Sequence, residues 1–214
     1  MKKQRAARYP ISILCLLTFC FVLSACGTGG ADTTTTSAPL VNATPTPIPP
    51  TPTPTVTLSP VTGDGYTIGS PAGWTSKKST LSSSASLFQL SQGGNDLTSL
   101  VVETVTATAA ISPAAFSPAN SVKGGLSGLQ GQAKNFQAKS VPATVTIGNI
   151  KWDQGAATTG DPASGTNSTF YFLSTKFPGN ANKLVTIICT AKTSDFDKAN
   201  TESFQPMLLS FKFA

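Results

Sequence analysis

A threonine- and proline-rich stretch limits which part of this 214-residue chain can fold into a compact domain. It lies between Gly27 and Pro60, and from Thr44 to Thr55 proline occupies almost every second position with no charged residue. Proline has no main-chain N–H to donate and favours the extended polyproline II backbone. Residues 26–60 are therefore predicted to form a disordered, semi-rigid tether. Residues 61–214 remain as one globular domain that is large enough to bury a core.

The first 25 residues have the three parts of a secretory signal peptide. Four basic residues come first, an apolar run follows over residues 11–23, and the small residues Ser24 and Ala25 precede Cys26. The apolar run is too short to cross a membrane as a helix, which needs about 20 residues. We therefore expect residues 1–25 to be removed on export.

The sequence Leu23-Ser24-Ala25-Cys26 resembles the lipobox of bacterial lipoproteins. The resemblance implies that the Cys26 thiol receives a diacylglyceryl group and that Cys26 becomes the N-terminus of a protein on the outer face of the cell membrane. Two acyl chains hold a protein on a membrane stably, whereas one chain binds only marginally. The alternatives are an ordinary cleaved signal peptide with an incidental cysteine, and an uncleaved short anchor.

Removal of the signal peptide would leave a nearly neutral chain. The full chain carries a net charge of +6, but four of its fifteen basic residues precede Cys26. Eleven lysines then face nine acidic residues, and no arginine remains. Arginine is the residue best suited to form paired hydrogen bonds with phosphates and guanine edges. Binding of nucleic acid is therefore not expected.

The chain contains no histidine, which excludes the commonest catalytic groups. Ser-His-Asp and Cys-His arrangements and the HExxH zinc motif all require this residue. Beyond Cys26 only Cys189 remains, so no internal disulfide is expected, and Cys189 is interpreted as an apolar strand residue. We predict no catalytic residue, no metal site and no cofactor, and hence a protein that is not an enzyme.

An envelope hydrolase or lyase that uses carboxylates is the alternative function. Asp195 and Asp197 form the closest acidic pair, but residues at positions i and i+2 do not share a helix face. Asp195 is better suited to a cap at the start of a helix. Such an enzyme would need two acids that converge in a pocket.

Alternating apolar and turn residues predict a domain rich in strands, with one internal helix and one C-terminal helix. Pro118 follows the cap residue Ser117 and begins the internal helix, which spans residues 118–132. Its glycines favour a frayed surface helix, and close approach of a neighbouring element is the alternative. The C-terminal helix is interrupted at Pro206, so two short pieces or a kink are expected, and residues 211–213 add a short strand. The predicted strands are 66–70, 85–90, 100–106, 136–141, 144–147, 150–157, 169–176 and 183–191.

This order of elements predicts an α+β fold with an antiparallel sheet flanked by helices. Three segments, Tyr66 to Trp74, Val145 to Gln154 and Phe204 to Phe213, are similar to elements of PsbP-like (Mog-type) domains. The resemblance implies an α/β/α sandwich and a non-catalytic binding or assembly role. The partner would be an envelope protein or a small ligand.

Three residues are candidates for a binding surface. Trp74 and Trp152 belong to the segments that resemble PsbP-like domains, and Lys123 lies on the internal helix. Packing in the core is the alternative for both tryptophans, and a solvated helix face is the alternative for Lys123.

Overall fold

The computed structural model describes residues 56–82, 85–93, 95–108, 116–161 and 166–214. The predicted signal peptide, Cys26 and nearly all of the predicted tether lie outside these residues. In chain order, the strands are β1 (Leu58–Thr62), β2 (Tyr66–Pro71), β3 (Trp74–Ser82), β4 (Ala85–Gln92), β5 (Asn95–Thr106), β6 (Gln137–Lys139), β7 (Thr144–Ile147), β8 (Ile150–Asp161), β9 (Thr166–Phe177), β10 (Asn180–Lys192) and β11 (Lys212–Phe213). The helices are α1 (Pro118–Gln132), α2 (Phe196–Ala199) and α3 (Gln205–Ser210), with a π-helical segment at Asn200–Phe204 between the last two.

An eight-stranded antiparallel sheet forms the centre of the domain. Its order is β3-β4-β5-β10-β9-β8-β6, and β7 pairs with β8 beside β6. Every second residue of β10 points to the same face of the sheet, because successive strand residues point to opposite sides. The buried residues on one of these faces are Val185, Ile187 and Cys189. That face is the floor of the main hydrophobic core.

The C-terminal helices and a three-stranded sheet of β1, β2 and β11 complete the main core. Tyr66 of β2 stacks on Phe211, with ring centroids 5.3 Å apart. A polar link joins the two sheets, since the ammonium group of Lys183 lies 2.8 Å from a carboxylate oxygen of Asp64. Lys183 holds the pKa of the Asp64 carboxyl below its usual value. The core contains Tyr66, Ile68, Phe88, Leu90, Leu100, Val102, Trp152, Leu173, Val185, Ile187, Cys189, Ala191, Phe204, Met207, Leu208 and Phe211.

Helix α1 packs on the opposite face of the large sheet, through a glycine. A Cβ atom on Gly125 would lie 2.8 Å from the ring of Phe172, so the helix backbone approaches β9 too closely for any side chain. Ser121 and Thr186 join the helix to β10 through a 2.7 Å contact between their hydroxyl groups. The expectation of a frayed surface helix is therefore wrong, and the alternative of close approach is correct for Gly125.

The C-terminal helical region contains a widened turn just before Pro206. The N–H of Gln205 donates to the carbonyl of Asn200, five residues earlier, so Asn200–Phe204 is π-helical. Proline cannot donate to the carbonyl four residues earlier, and its ring crowds that turn. The interruption predicted at Pro206 therefore takes the form of a π segment between two short α-helices.

The predicted α+β class, with an antiparallel sheet flanked by helices, is confirmed. Helix α1 and the predicted segment 118–132 coincide.

Strand β3 was not predicted, because its lysines and serines give no apolar alternation on an exposed sheet edge. The folded domain includes residues before the predicted boundary at 61, since Leu58 of β1 packs against the core together with Val61. Among the described residues, no helix has the length and apolar character that crossing a membrane requires.

Candidate functional site

The three residues proposed for a binding surface lie in different environments. Trp152 is only 1% exposed and packs edge-on against Phe211, with ring centroids 5.4 Å apart. A binding-surface role for Trp152 is therefore wrong, because its strand directs the side chain into the core. Trp74 is half-buried at the edge of the large sheet, 6.1 Å from the ring of Phe204. Lys123 is exposed on α1, which covers the other face of the sheet.

A different set of residues forms an apolar groove between β7 and the C-terminal helices. We call it the hairpin–helix groove, because the turn between β7 and β8 contributes one wall. Its volume is about 450 Å³, within the usual range for ligand sites. Leu209 is an exposed large apolar residue of the lining, with 59% of its surface accessible. The lining residues are Val145, Thr146, Ile147, Gly148, Tyr171, Phe196, Asn200, Gln205, Leu208 and Leu209.

A chain of hydrogen bonds fixes the floor of the groove to its hairpin wall. The phenol of Tyr171 donates to the side-chain carbonyl of Gln154. The amide nitrogen of Gln154 donates in turn to the carbonyl of Thr144, 3.5 Å away. Burial, with a smaller contribution from Cys189, raises the pKa of Tyr171. The phenol therefore stays protonated at neutral pH and keeps its role as a donor.

Two amide side chains give the groove a polar edge. Asn200 begins the π segment, and Gln205 follows its last residue. Neither side chain hydrogen-bonds to another described residue, so both amides are available to a ligand. π-Helical turns occur frequently at functional sites because they displace side chains from the regular helical positions. The groove thus combines an apolar floor with uncommitted donors and acceptors.

The hairpin–helix groove contains no charged side chain. Glu103, whose pKa is raised by burial, lies on β5 and does not line the groove. Asp195 takes the cap position of α2, but its side chain makes no cap hydrogen bond there. Among the described residues, no three His, Cys, Asp or Glu side chains are grouped in a way that could hold a metal ion.

Sequence reasoning did not find this groove, because its walls are far apart in the chain. Residues 144–148 and 196–209 belong to different motifs, and only the fold brings them together. The one local signal was the interruption at Pro206, which forces the π segment and thereby places Asn200. Val145 and Ile147 were predicted as strand residues, without any indication that a helix would lie beside them.

The domain has an antiparallel α+β fold, and comparisons with known proteins add only distant structural similarities. No protein-family model and no curated protein matches the chain. The fold is similar to a Bacteroides thetaiotaomicron protein at 12% identity and a TM-score of 0.42, over 70% of this chain and 45% of that protein. It is also similar to cyanobacterial PsbP (CyanoP) from Synechocystis, at 16% identity and a TM-score of 0.45, over 75% of this chain and 94% of CyanoP.

A third similar structure is LpqN, described as involved in cell envelope biogenesis of Mycobacterium tuberculosis. The identity is 14% and the TM-score 0.45, over 74% of this chain and 91% of LpqN. These identities and scores are too low to support any functional conclusion.

Proposed function

We propose that the protein is a bacterial lipoprotein of PsbP-like (Mog-type) fold, attached through Cys26 to the outer face of the cell membrane. Its domain acts there as a non-catalytic binding or assembly module of the cell envelope. The hairpin–helix groove is the observation that supports binding, because it offers an apolar, uncharged surface with two free amides and no carboxylate. Such a groove suits recognition better than acid–base chemistry.

The ligand that best fits the groove is an extended, uncharged, apolar peptide segment of a partner protein. Among the described strands, β7 pairs with β8 alone, so its other edge carries main-chain groups open to further pairing. Addition of a strand to such an edge is a common way to bind a peptide. Because the lining is uncharged, a charged segment would lose its hydration without finding a counter-ion.

Attachment through Cys26 rests on the sequence of the signal peptide and its lipobox-like end. We expect the Cys26→Ser variant to lose acylation, which intact mass spectrometry would measure. A matched Cys189→Ser variant should stay acylated, because Cys189 is buried in the core. An intact mass of the mature wild-type chain without a diacylglyceryl group would contradict the anchor.

The groove is tested by photo-crosslinking of the full chain in bacterial cells. A photoreactive amino acid at position 146 or 209, on opposite walls, should give an adduct with the same envelope protein. A probe at the exposed position 130 on α1 should give none. Leu209→Asp should abolish the adduct formed from position 146, because the charge would be buried by the bound segment.

The matched control is Leu81→Asp, since Leu81 is an exposed leucine of β3 outside the groove. This variant should crosslink like the wild type. Equal crosslinking from positions 130 and 146 would refute the groove as the binding surface. An adduct with lipid in place of protein would refute the peptide ligand.

A further inference from the structure

A second groove, at the β6 edge of the large sheet, has the opposite character from the hairpin–helix groove. We call it the polar groove; its volume is about 600 Å³. Four separate chain segments supply its walls, and six of the nine lining residues carry an amide or a hydroxyl group. The lining residues are Asn135, Gln137, Ala138, Lys139, Thr158, Thr159, Gly160, Asn167 and Thr193.

Gly160 creates the space in which two of the amides meet. A Cβ atom at this position would lie 2.8 Å from Oδ1 of Asn167 and 3.3 Å from Nδ2 of Asn135. The main chain beneath is held firmly, because the Gly160 N–H donates to the Lys134 carbonyl at 3.0 Å. The missing side chain therefore lets both amide groups lie directly against the main chain at Gly160.

The amide side chains of the polar groove are not used within the fold. The side chains of Asn135, Gln137 and Asn167 make no hydrogen bond to any described residue. Asn135 has a positive φ of 51°, a conformation that asparagine tolerates better than most residues. Each amide presents one donor group and one acceptor in a plane. The groove therefore offers several uncommitted donors and acceptors in a small area.

This donor and acceptor set discriminates between classes of ligand. Lys139 is the only charged side chain in the lining, so multiply charged phosphates find too little positive charge. The lining contains no carboxylate, which hard cations prefer. Large apolar side chains are absent from it as well. A polyhydroxylated ligand carries vicinal hydroxyl groups, each of which is both a donor and an acceptor. These groups can pair with the planar amides and the threonine hydroxyls of the groove.

We propose that the polar groove is a binding site for a neutral, polyhydroxylated ligand, namely a sugar unit of an envelope glycan. The amides of Asn135 and Asn167, which meet at Gly160, bind one ring hydroxyl. Gln137 and the threonines of β8 bind the hydroxyls of the same or the next ring. This site is separate from the hairpin–helix groove and does not depend on peptide binding there; only the envelope source of the glycan rests on the proposed membrane location.

The test uses the full acylated chain in a detergent without a sugar head group. Hexasaccharides of glucose, mannose and N-acetylglucosamine are the probes, and saturation-transfer NMR measures binding at about 10 mM sugar. We expect saturation transfer to at least one hexasaccharide. Binding of the N-acetylglucosamine probe would indicate a cell-wall glycan, and binding of the glucose or mannose probe would indicate a hexose polymer. Because the ligand is neutral, about 0.5 M NaCl should leave binding unchanged.

Two kinds of variant locate the binding. The double variant Gln137→Ala/Asn167→Ala should weaken binding about tenfold, since two hydrogen bonds are lost. Gly160→Ala should also weaken it, because the added methyl group would displace the amides of Asn167 and Asn135. Gln130→Ala, which removes an exposed amide from α1, should bind like the wild type. No transfer to any of the three probes, unchanged binding by the double variant, or loss of binding in salt would overturn the proposal.

Discussion

Trp74 and Trp152 show how the position of a strand in the sheet decides the role of a side chain. Both residues lie in segments that resemble PsbP-like domains, yet Trp152 is fully buried whereas Trp74 is only half-buried at the sheet edge. Cys189 and Glu103 both lie on interior strands of the large sheet, as expected for a cysteine but not for a glutamate. Both are buried, and for both burial raises the pKa.

Cys189 is expected to be inert in the folded protein. It is 0% exposed, and burial raises the pKa of its thiol well above the usual value. Because the thiolate is the reactive form, iodoacetamide should not label the native mature chain at pH 8. Labelling of the mature acylated chain in denaturant should give one modification, at Cys189, counted by mass spectrometry, because the alkylated sulfur of Cys26 no longer reacts. Rapid labelling without denaturant would show that the core around Cys189 opens easily.

Glu103 is expected to lower the stability of the domain at neutral pH. Its side chain lies on the α1 face of β5, where burial raises the pKa of the carboxyl. A group with a raised pKa in the folded state contributes its stability below its unfolded pKa and loses it as the pH rises through the folded pKa. Glu103→Gln should therefore raise the melting temperature at pH 7 and have little effect near pH 4. A lower melting temperature of this variant at pH 7 would mean that the carboxylate is stabilised by a favourable interaction.

At the scale of secondary structure, two glycines of the same helix have opposite surroundings. Gly125 is buried against Phe172, whereas a Cβ atom on Gly131 would meet nothing within 4 Å. Helix propensity alone favours alanine over glycine at both positions, by about 1 kcal/mol. Steric contact with the sheet reverses that preference at Gly125 alone.

The pair Gly125→Ala and Gly131→Ala separates packing from helix propensity. Gly125→Ala should destabilise the domain by about 1–3 kcal/mol, because the extra methyl group overpacks the interface with β9. Gly131→Ala should stabilise it by up to about 1 kcal/mol. Urea unfolding followed by circular dichroism measures both changes. Stabilisation by both substitutions would show that α1 does not pack closely on the sheet.

At the scale of the whole molecule, patterns local in sequence predicted the class of fold but not the groove. Periodicity identified α1 and most strands, because one face of each is buried and the other is solvated. It missed β3, whose edge position leaves both faces largely polar. The two grooves lie between segments that are distant in sequence, so no local pattern specifies which side chains line them.

Hydrogen exchange of the full, acylated chain tests the binding surface most directly. Main-chain exchange should be compared between native membranes, where the partner is present, and the protein purified away from it in detergent. A bound partner segment slows exchange at the residues that it covers or pairs with. The proposed function predicts slower exchange in membranes at residues 144–148 and 196–210, on both walls of the hairpin–helix groove. Identical exchange there in both preparations, or protection confined to α1, would contradict it.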